Sequence, residues 1–213
     1  MNSSSLNKYI RKHLSPFLIE NGFEKITDRD YSKTVGIFDY IIEIKAVGKY
    51  FSNVTGWPPQ SISSVGGVFC NVIKSWHQKE YHFQVDNLCS IDQTAIKRKL
   101  KSEPERKRED IWWIDDESNL EEIVNDLKNS INNYSLVYFL GFEAKSVDDM
   151  ISETERMGGE YWKNFRLYYL YNFVNMEKEA EESRAKYIVE GMKLGIKKDE
   201  LLKNLSGVNS NSR

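Results

Sequence analysis

The sequence predicts an α+β protein: an antiparallel sheet packed by an N-terminal helix and by the helix after Trp113, followed by a helical C-terminal region. Three stretches carry that prediction. From Ile37 to Val47, Phe38, Tyr40, Ile42, Ile44 and Ala46 alternate with Asp39, Glu43 and Lys45, the period-two signature of a sheet with one dry face. Ile111-Trp112-Trp113-Ile114 suits a buried, pleated surface, and behind it Leu120, Ile123, Val124, Leu127 and Ile131 fall on one helical face. From Ser146 onward the texture changes and only helical spacing remains.

The elements follow in order. Leu6, Ile10, Leu14, Phe17 and Leu18 repeat at helical spacing up to Asn21, and Gly22 is placed to stop the helix in a left-handed conformation. Pro16 predicts a kink there or a restart with Ser15 as cap. Phe23 to Ile26 and Tyr31 to Thr34 read as short strands around Asp28-Arg29-Asp30. After the long strand, Gly48 to Ser63 holds Trp57-Pro58-Pro59 and reads as a loop. Val65 to Trp76 and Tyr81 to Val85 read as a hairpin joined by His77-Gln78-Lys79-Glu80. Ile91 to Asp110 is a polar surface excursion, basic from Lys97 to Arg108.

Ser118 and Glu121 make a capping box for a helix from Asn119 to about Asn132, with Tyr134 to Phe142 as a packed helical extension. Ser146 and Asp149 make a second box, opening a helix that Gly158-Gly159 closes. Glu160 to Met176 carries aromatic residues around most of its circumference and must be buried on several sides. Glu177 to Arg184 is charged and solvated. Tyr187 to Leu194 and Lys198 to Leu205 are helical, with Gly195 between them. The domain reading is residues 1–145 as the α+β part, 146–205 as the helical region and 206–213 as a frayed tail.

At 213 residues, 29% charged, 13% aromatic and with a formal charge of -2, the chain can bury a core without disulfides or metal. A global basic footprint for nucleic acid is absent. No apolar run is long enough to cross a bilayer and the first residues lack a signal-peptide core, which points to the cytoplasm. Cys70 and Cys89 are too few for a secreted disulfide framework.

Asn21-Gly22-Phe23 after a helix ending in Ser15-Pro16-Phe17-Leu18, an aromatic strand, a His/Phe strand, and Trp112-Trp113 leading through Asp116-Glu117 into an acidic amphipathic helix resemble the bacterial family called domain of unknown function 4304. The resemblance covers about Leu6 to Phe142. It implies a small α+β cytoplasmic domain and no assigned reaction, and it leaves the helices after Ser146 untouched.

Chemistry-bearing residues have plain structural explanations. Cys70, His77, His82 and Cys89 have mirror spacing, but a hairpin that puts the histidines at its tip and both cysteines at its far end keeps four ligands from one zinc ion. Asp115, Asp116 and Glu117 offset the positive end of a helix dipole. The Lys97–Arg108 run lacks interleaved aromatics to stack bases, which argues against nucleic acid. No phosphate loop, nucleophile elbow or metal-binding His pair is present, so no catalytic residue, cofactor or metal is assigned. The expectation is a non-enzymatic protein-interaction module, its partner another protein or a second copy of the chain. Its candidate surface comprises Trp57, Arg98, Arg106, Arg108, Trp162 and Tyr169. Two alternatives stand beside it. One is a small-ligand binder or enzyme with a site between the sheet and the C-terminal helices, using His77, His82 or Asp115; the other is nucleic-acid binding through Lys97–Arg108.

Overall fold

The computed structural model describes residues 3–46, 53, 60–73, 81–97, 109–115 and 118–206. The chain divides into two compact units, Met1–Val68 with Tyr81–Phe142, and Phe69–Glu80 with Glu143–Arg213.

The first unit is α+β. Helix α1 (Ser3–Glu20) buries Leu6, Ile10, Leu14 and Leu18 along one face. It runs unbroken through Pro16. A restart there would rotate Leu18 off the face shared with Leu14, so the common apolar face outweighs the hydrogen bond that proline deletes. Gly22, at φ +83°, ends α1 as expected: Phe23 N–H donates to Leu18 O at 3.0 Å, and Asn21 Nδ2 reaches Phe17 O at 2.8 Å. Strands β1 (Glu24–Lys25), β2 (Asp30–Val35) and β3 (Phe38–Ala46) form an antiparallel meander, with Tyr31 opposite Ile42 and Val35 opposite Phe38. Phe38, Tyr40, Ile42 and Ile44 are buried as the alternation requires, while Ala46 is exposed.

Strand β4 (Ile62–Cys70) starts earlier than its sequence suggests, inside the stretch read as a loop, and ends at Cys70. Serines at positions 61, 63 and 64 hide the strand from a hydrophobicity scan, yet Ser61 and Ser64 are buried because each has a polar partner. The expected hairpin forms: β5 (Phe83–Asp86) pairs with β4, Val68 opposite Phe83 and Val65 opposite Asp86. Its register corrects the placement of the cysteines. Cys70 follows Val68 on the turn side, whereas Cys89 lies past the opposite end, bonded through its N–H to Glu109 O at 2.6 Å. The sheet order is β1-β2-β3-β4-β5, and a short β6 (Ile111–Trp112) pairs with the start of β4, Ile62 opposite Trp112.

After a single turn of helix, α2 (Thr94–Lys97), and β6, the chain enters α3 (Leu120–Ser130). Its cap corrects the sequence reading. Asn119, not Ser118, is the N-cap, its side chain accepting from Glu121 N at 3.1 Å and Glu122 N at 3.4 Å. Ser118 instead receives Asp115 N–H at 2.9 Å and donates to Asp115 Oδ1 at 3.0 Å, closing the turn that leads to the helix. Helix α3 continues without a break as a π-helix (Ile131–Leu136) and then α4 (Val137–Glu143). The wider turn brings Ser135 against Gly66: a Cβ on Gly66 would lie 2.4 Å from Ser135 Oγ. Ser135 Oγ donates to Asn87 Oδ1 at 2.7 Å and Asn87 Nδ2 to Ser64 Oγ at 2.9 Å, a closed polar chain in which all three residues are buried. Phe139 stacks on Tyr40 at 4.7 Å and Phe142 meets Phe38 edge-on at 5.4 Å. Only one face of α4 is packed, since Val137 and Leu140 are exposed.

Among the described residues of the second unit, those from Val147 to Ser206 form four helices. Helix α5 (Val147–Glu155) opens with the expected capping box of Ser146 and Asp149. Helix α6 (Glu160–Phe173) stops at Asn175, which takes φ +59° so that Met176 N–H returns to Tyr171 O at 2.9 Å. The charged stretch and the helix expected at Tyr187 are one element, α7 (Glu177–Lys193), because Ala180, Ser183, Tyr187 and Gly191 make a narrow buried stripe of mostly small residues too sparse to register as apolar periodicity. Gly195, at φ +84°, turns the chain into α8 (Lys198–Ser206). Tyr161 stacks on Tyr187 at 4.8 Å, and Gly191 admits Leu201, whose Cδ2 a Cβ there would meet at 2.5 Å.

Candidate functional site

Side chains hold the tryptophan run beyond its pairing with β4. Gln93 acts as a stand-in for a neighbouring strand: its Nε2 donates to Ile111 O at 2.9 Å and its Oε1 accepts from Trp113 N–H. Ser61 Oγ accepts from Ile114 N at 3.1 Å. The indole of Trp112 donates to Asp126 Oδ2 at 2.8 Å, and the same carboxylate takes Ser90 N–H at 3.0 Å and the Ser90 hydroxyl. Asp126 is 7% exposed and Trp112 wholly buried. Three donors offset the cost of burying that carboxylate, so its role is to tie the loop after β5, the end of the sheet and α3 together. Sequence reasoning passed over Gln93 and Asp126. The signal for Asp126 was legible: it falls on the apolar face of α3, one turn from Ile123 and Ser130, where an acid needs a reason.

Beside this clamp, a shallow cleft of about 240 Å³ is lined by Asp92, Asp115, Asn119 and Glu122 around Trp113. Among the described residues, no three His, Cys, Asp or Glu side chains are placed to hold a metal ion. Asp115 is half-buried, and its backbone and carboxylate are engaged with Ser118. His82 lies in the hairpin, its N–H on Val68 O at 3.0 Å. Trp57, His77, Arg98, Arg106, Arg108, Asp116 and Glu117 lie outside the described residues.

The remaining two candidates are on α6, and they part company. Tyr169 is not a surface residue. It is 7% exposed and its hydroxyl lies 3.1 Å from Asn204 O and 3.0 Å from Leu205 O, where it satisfies the carbonyls at the end of α8. Tyr187, whose ring is closed in by Tyr161 and Phe165, is held neutral far above the ordinary phenol range, mainly by burial. Trp162, by contrast, is 43% exposed, and Phe173, 11 residues on, is 56% exposed. At about 100° per residue these two project within roughly 20° of one another, with Arg166 on the same stripe. Burial lowers the Arg166 pKa, and its Nη1 lies 3.4 Å from Met157 Sδ.

On the other side of α6 a cleft of about 320 Å³ follows the seam with α7. Glu155, Glu160, Glu179 and Glu182 line it together with Lys163 and Lys186. Glu160 pairs with Lys163 and accepts from Asn164 Nδ2 at 3.1 Å; these contacts, Lys163 first, pull its carboxyl below the ordinary range. Tyr171 donates to Glu155 Oε1 at 2.6 Å. Desolvation first, then the Glu155 hydrogen bond and the charges of Glu155, Glu179 and Glu182, push that phenol up to about 12.

Comparison with known proteins adds no relative: no family model matches the chain, and no match is found among curated proteins or solved structures.

Proposed function

We propose that the protein is a non-enzymatic interaction module of the bacterial cytoplasm that docks another protein chain on the face of α6 bearing Trp162, Arg166 and Phe173. The observation that supports this reading is the exposure of two large aromatic side chains in register on a helix whose other aromatics are buried, Tyr161, Phe165, Tyr169 and Tyr171, or half-buried, Tyr168. Tryptophan and arginine are the residue types that concentrate binding energy at protein interfaces, and an aromatic already held by a rigid helix loses little entropy on docking. Trp162 is held in this way, packed edge-on against Tyr161 at 5.2 Å and Phe165 at 6.2 Å.

The test is affinity capture with the full chain, followed by direct binding of the purified captured protein. Loss of a central tryptophan costs about 2 kcal/mol or more at an interface, a drop of roughly thirtyfold. Trp162→Ala with Phe173→Ala is therefore expected to weaken the complex at least that much without changing the circular dichroism. A captured protein that binds wild type and double variant equally would remove α6 from the interface and refute the proposal.

A further inference from the structure

We propose that the solvent-facing side of α1 is a docking surface for single-stranded nucleic acid. Between Ser3 and Ile19 the helix holds Lys8, Arg11 and Lys12 and no carboxylate, so it carries one sign of charge up to Glu20. At about 100° per residue the three cations span about 100° of the circumference, turned away from Ile10 and the buried apolar stripe. All three are exposed. Among the described residues Lys8 and Lys12 have no ion pair, and Asp28, 3.6 Å from Arg11, is held closer by Lys25 at 2.6 Å. Arg29 adds a half-buried charge on the Arg11 flank: its Nε donates to Asn7 Oδ1 at 2.7 Å, and its buried Nη1 meets no acceptor among the described residues.

A second, independent feature selects the kind of anion. Tyr9 and His13 lie one turn apart on the flank beside Lys12, with ring centroids 4.3 Å apart and planes tilted by 31°. Both are half-buried, so the pair is held on the helix yet still reaches solvent. Cations interleaved with aromatic rings are what single-strand binding needs, the cations for the phosphates and the rings for a stacked base. The basic run from Lys97 to Arg108 lacks such rings, and α1 has both.

The geometry separates a single strand from other anions. Lys8 and Lys12 stand about 6 Å apart along the axis, close to the spacing of neighbouring phosphates in an extended strand. A duplex offers phosphates too, but its bases stack on one another and are closed to Tyr9. An acidic peptide would satisfy the cations and leave the rings unused. An anionic membrane gains little, because the apolar side of α1, with Leu6, Ile10, Leu14 and Leu18, is buried in the fold and cannot insert. With the chain at a formal -2, attraction rests on this patch, and binding is strongest at low salt.

The experiment follows the fluorescence anisotropy of a labelled oligouridylate of about 12 nucleotides as the full chain is added at low salt. Saturable binding is expected. Three neutralised phosphates predict that log affinity falls against log salt with a slope of about -2. Lys8→Gln with Lys12→Gln, both at exposed positions, should weaken binding by about tenfold or more and bring the slope to about -0.7. Tyr9→Ala should weaken it by about fivefold or more with the slope unchanged, since it removes stacking and no charge. Circular dichroism checks that both variants fold. Affinity unchanged in the lysine double variant would overturn the proposal, as would the absence of saturable binding. Polyglutamate of equal charge displacing the probe as well as unlabelled oligouridylate would assign the face to an acidic protein and overturn it, and so would a duplex bound as tightly as the single strand.

Discussion

Asp126 is the residue on which the architecture turns. Its carboxylate has no counter-cation among the ion pairs of the described residues and is stabilised by the Trp112 indole and by Ser90. Asp126→Ala would strand the buried Trp112 indole and release Ser90, and we expect a loss of about 3 kcal/mol in urea unfolding. Asp126→Asn keeps an acceptor and should lose less, so the two variants separate hydrogen bonding from side-chain volume. Tyr171 gives a prediction on the alkaline side. Its folded pKa of about 12 lies above the ordinary 10.0, so the fold prefers the neutral phenol. The stability this contributes is complete below pH 10 and is lost as pH rises through about 12. Glu155→Gln should return the phenol toward its ordinary range, read by tyrosinate absorbance. At this scale the sequence was least legible. The roles of Gln93, Ser61 and Asp126 come from partners 14 to 53 residues away, and no local pattern encodes such pairings.

Elements were more legible, because period and punctuation are local. The alternation in β3, the Gly22 stop of α1 and the Ser146–Asp149 box of α5 all stand where their residues place them. The cap of α3 was misread through competition between neighbouring signals. Ser118 and Asn119 are both good caps, and Asp115 decides the matter by occupying the serine. Asn119→Ala should therefore cost α3 about 1 kcal/mol, and Ser118→Ala should leave the helix cap intact; amide exchange at Glu121 and Glu122 distinguishes them. The π-helix was invisible because Ile131–Leu136 carries no breaker, and its register depends on Gly66 across the unit. Gly66→Ala would press a methyl group against Ser135, and overpacking of this kind costs about 1–3 kcal/mol. Ser135→Gly in the same chain should restore part of that loss, which a thermal melt of the two variants would reveal.

For the whole molecule, the periodicity of apolar residues predicted the α+β class and the helical region after Ser146, and the sheet and helices are present as expected. Among the described residues no helix is long and apolar enough to cross a membrane. Tryptophan content alone did not tell which indoles build the core and which are presented to solvent. Trp112 and Trp113 sit in an aromatic-aliphatic run sealed by Gln93, Ser61 and Asp126, while Trp162 lies on a helix with aromatics on nearly every face, where only packing selects the side left open. The assignment of architecture to the first pair and recognition to the second is most directly tested by hydroxyl-radical footprinting of the native chain. Trp162 and Phe173 should be oxidised as surface residues, with Trp112 and Trp113 protected until the chain unfolds. Oxidation of Trp112 as fast as Trp162 under native conditions would place the buried clamp in solvent and contradict that division.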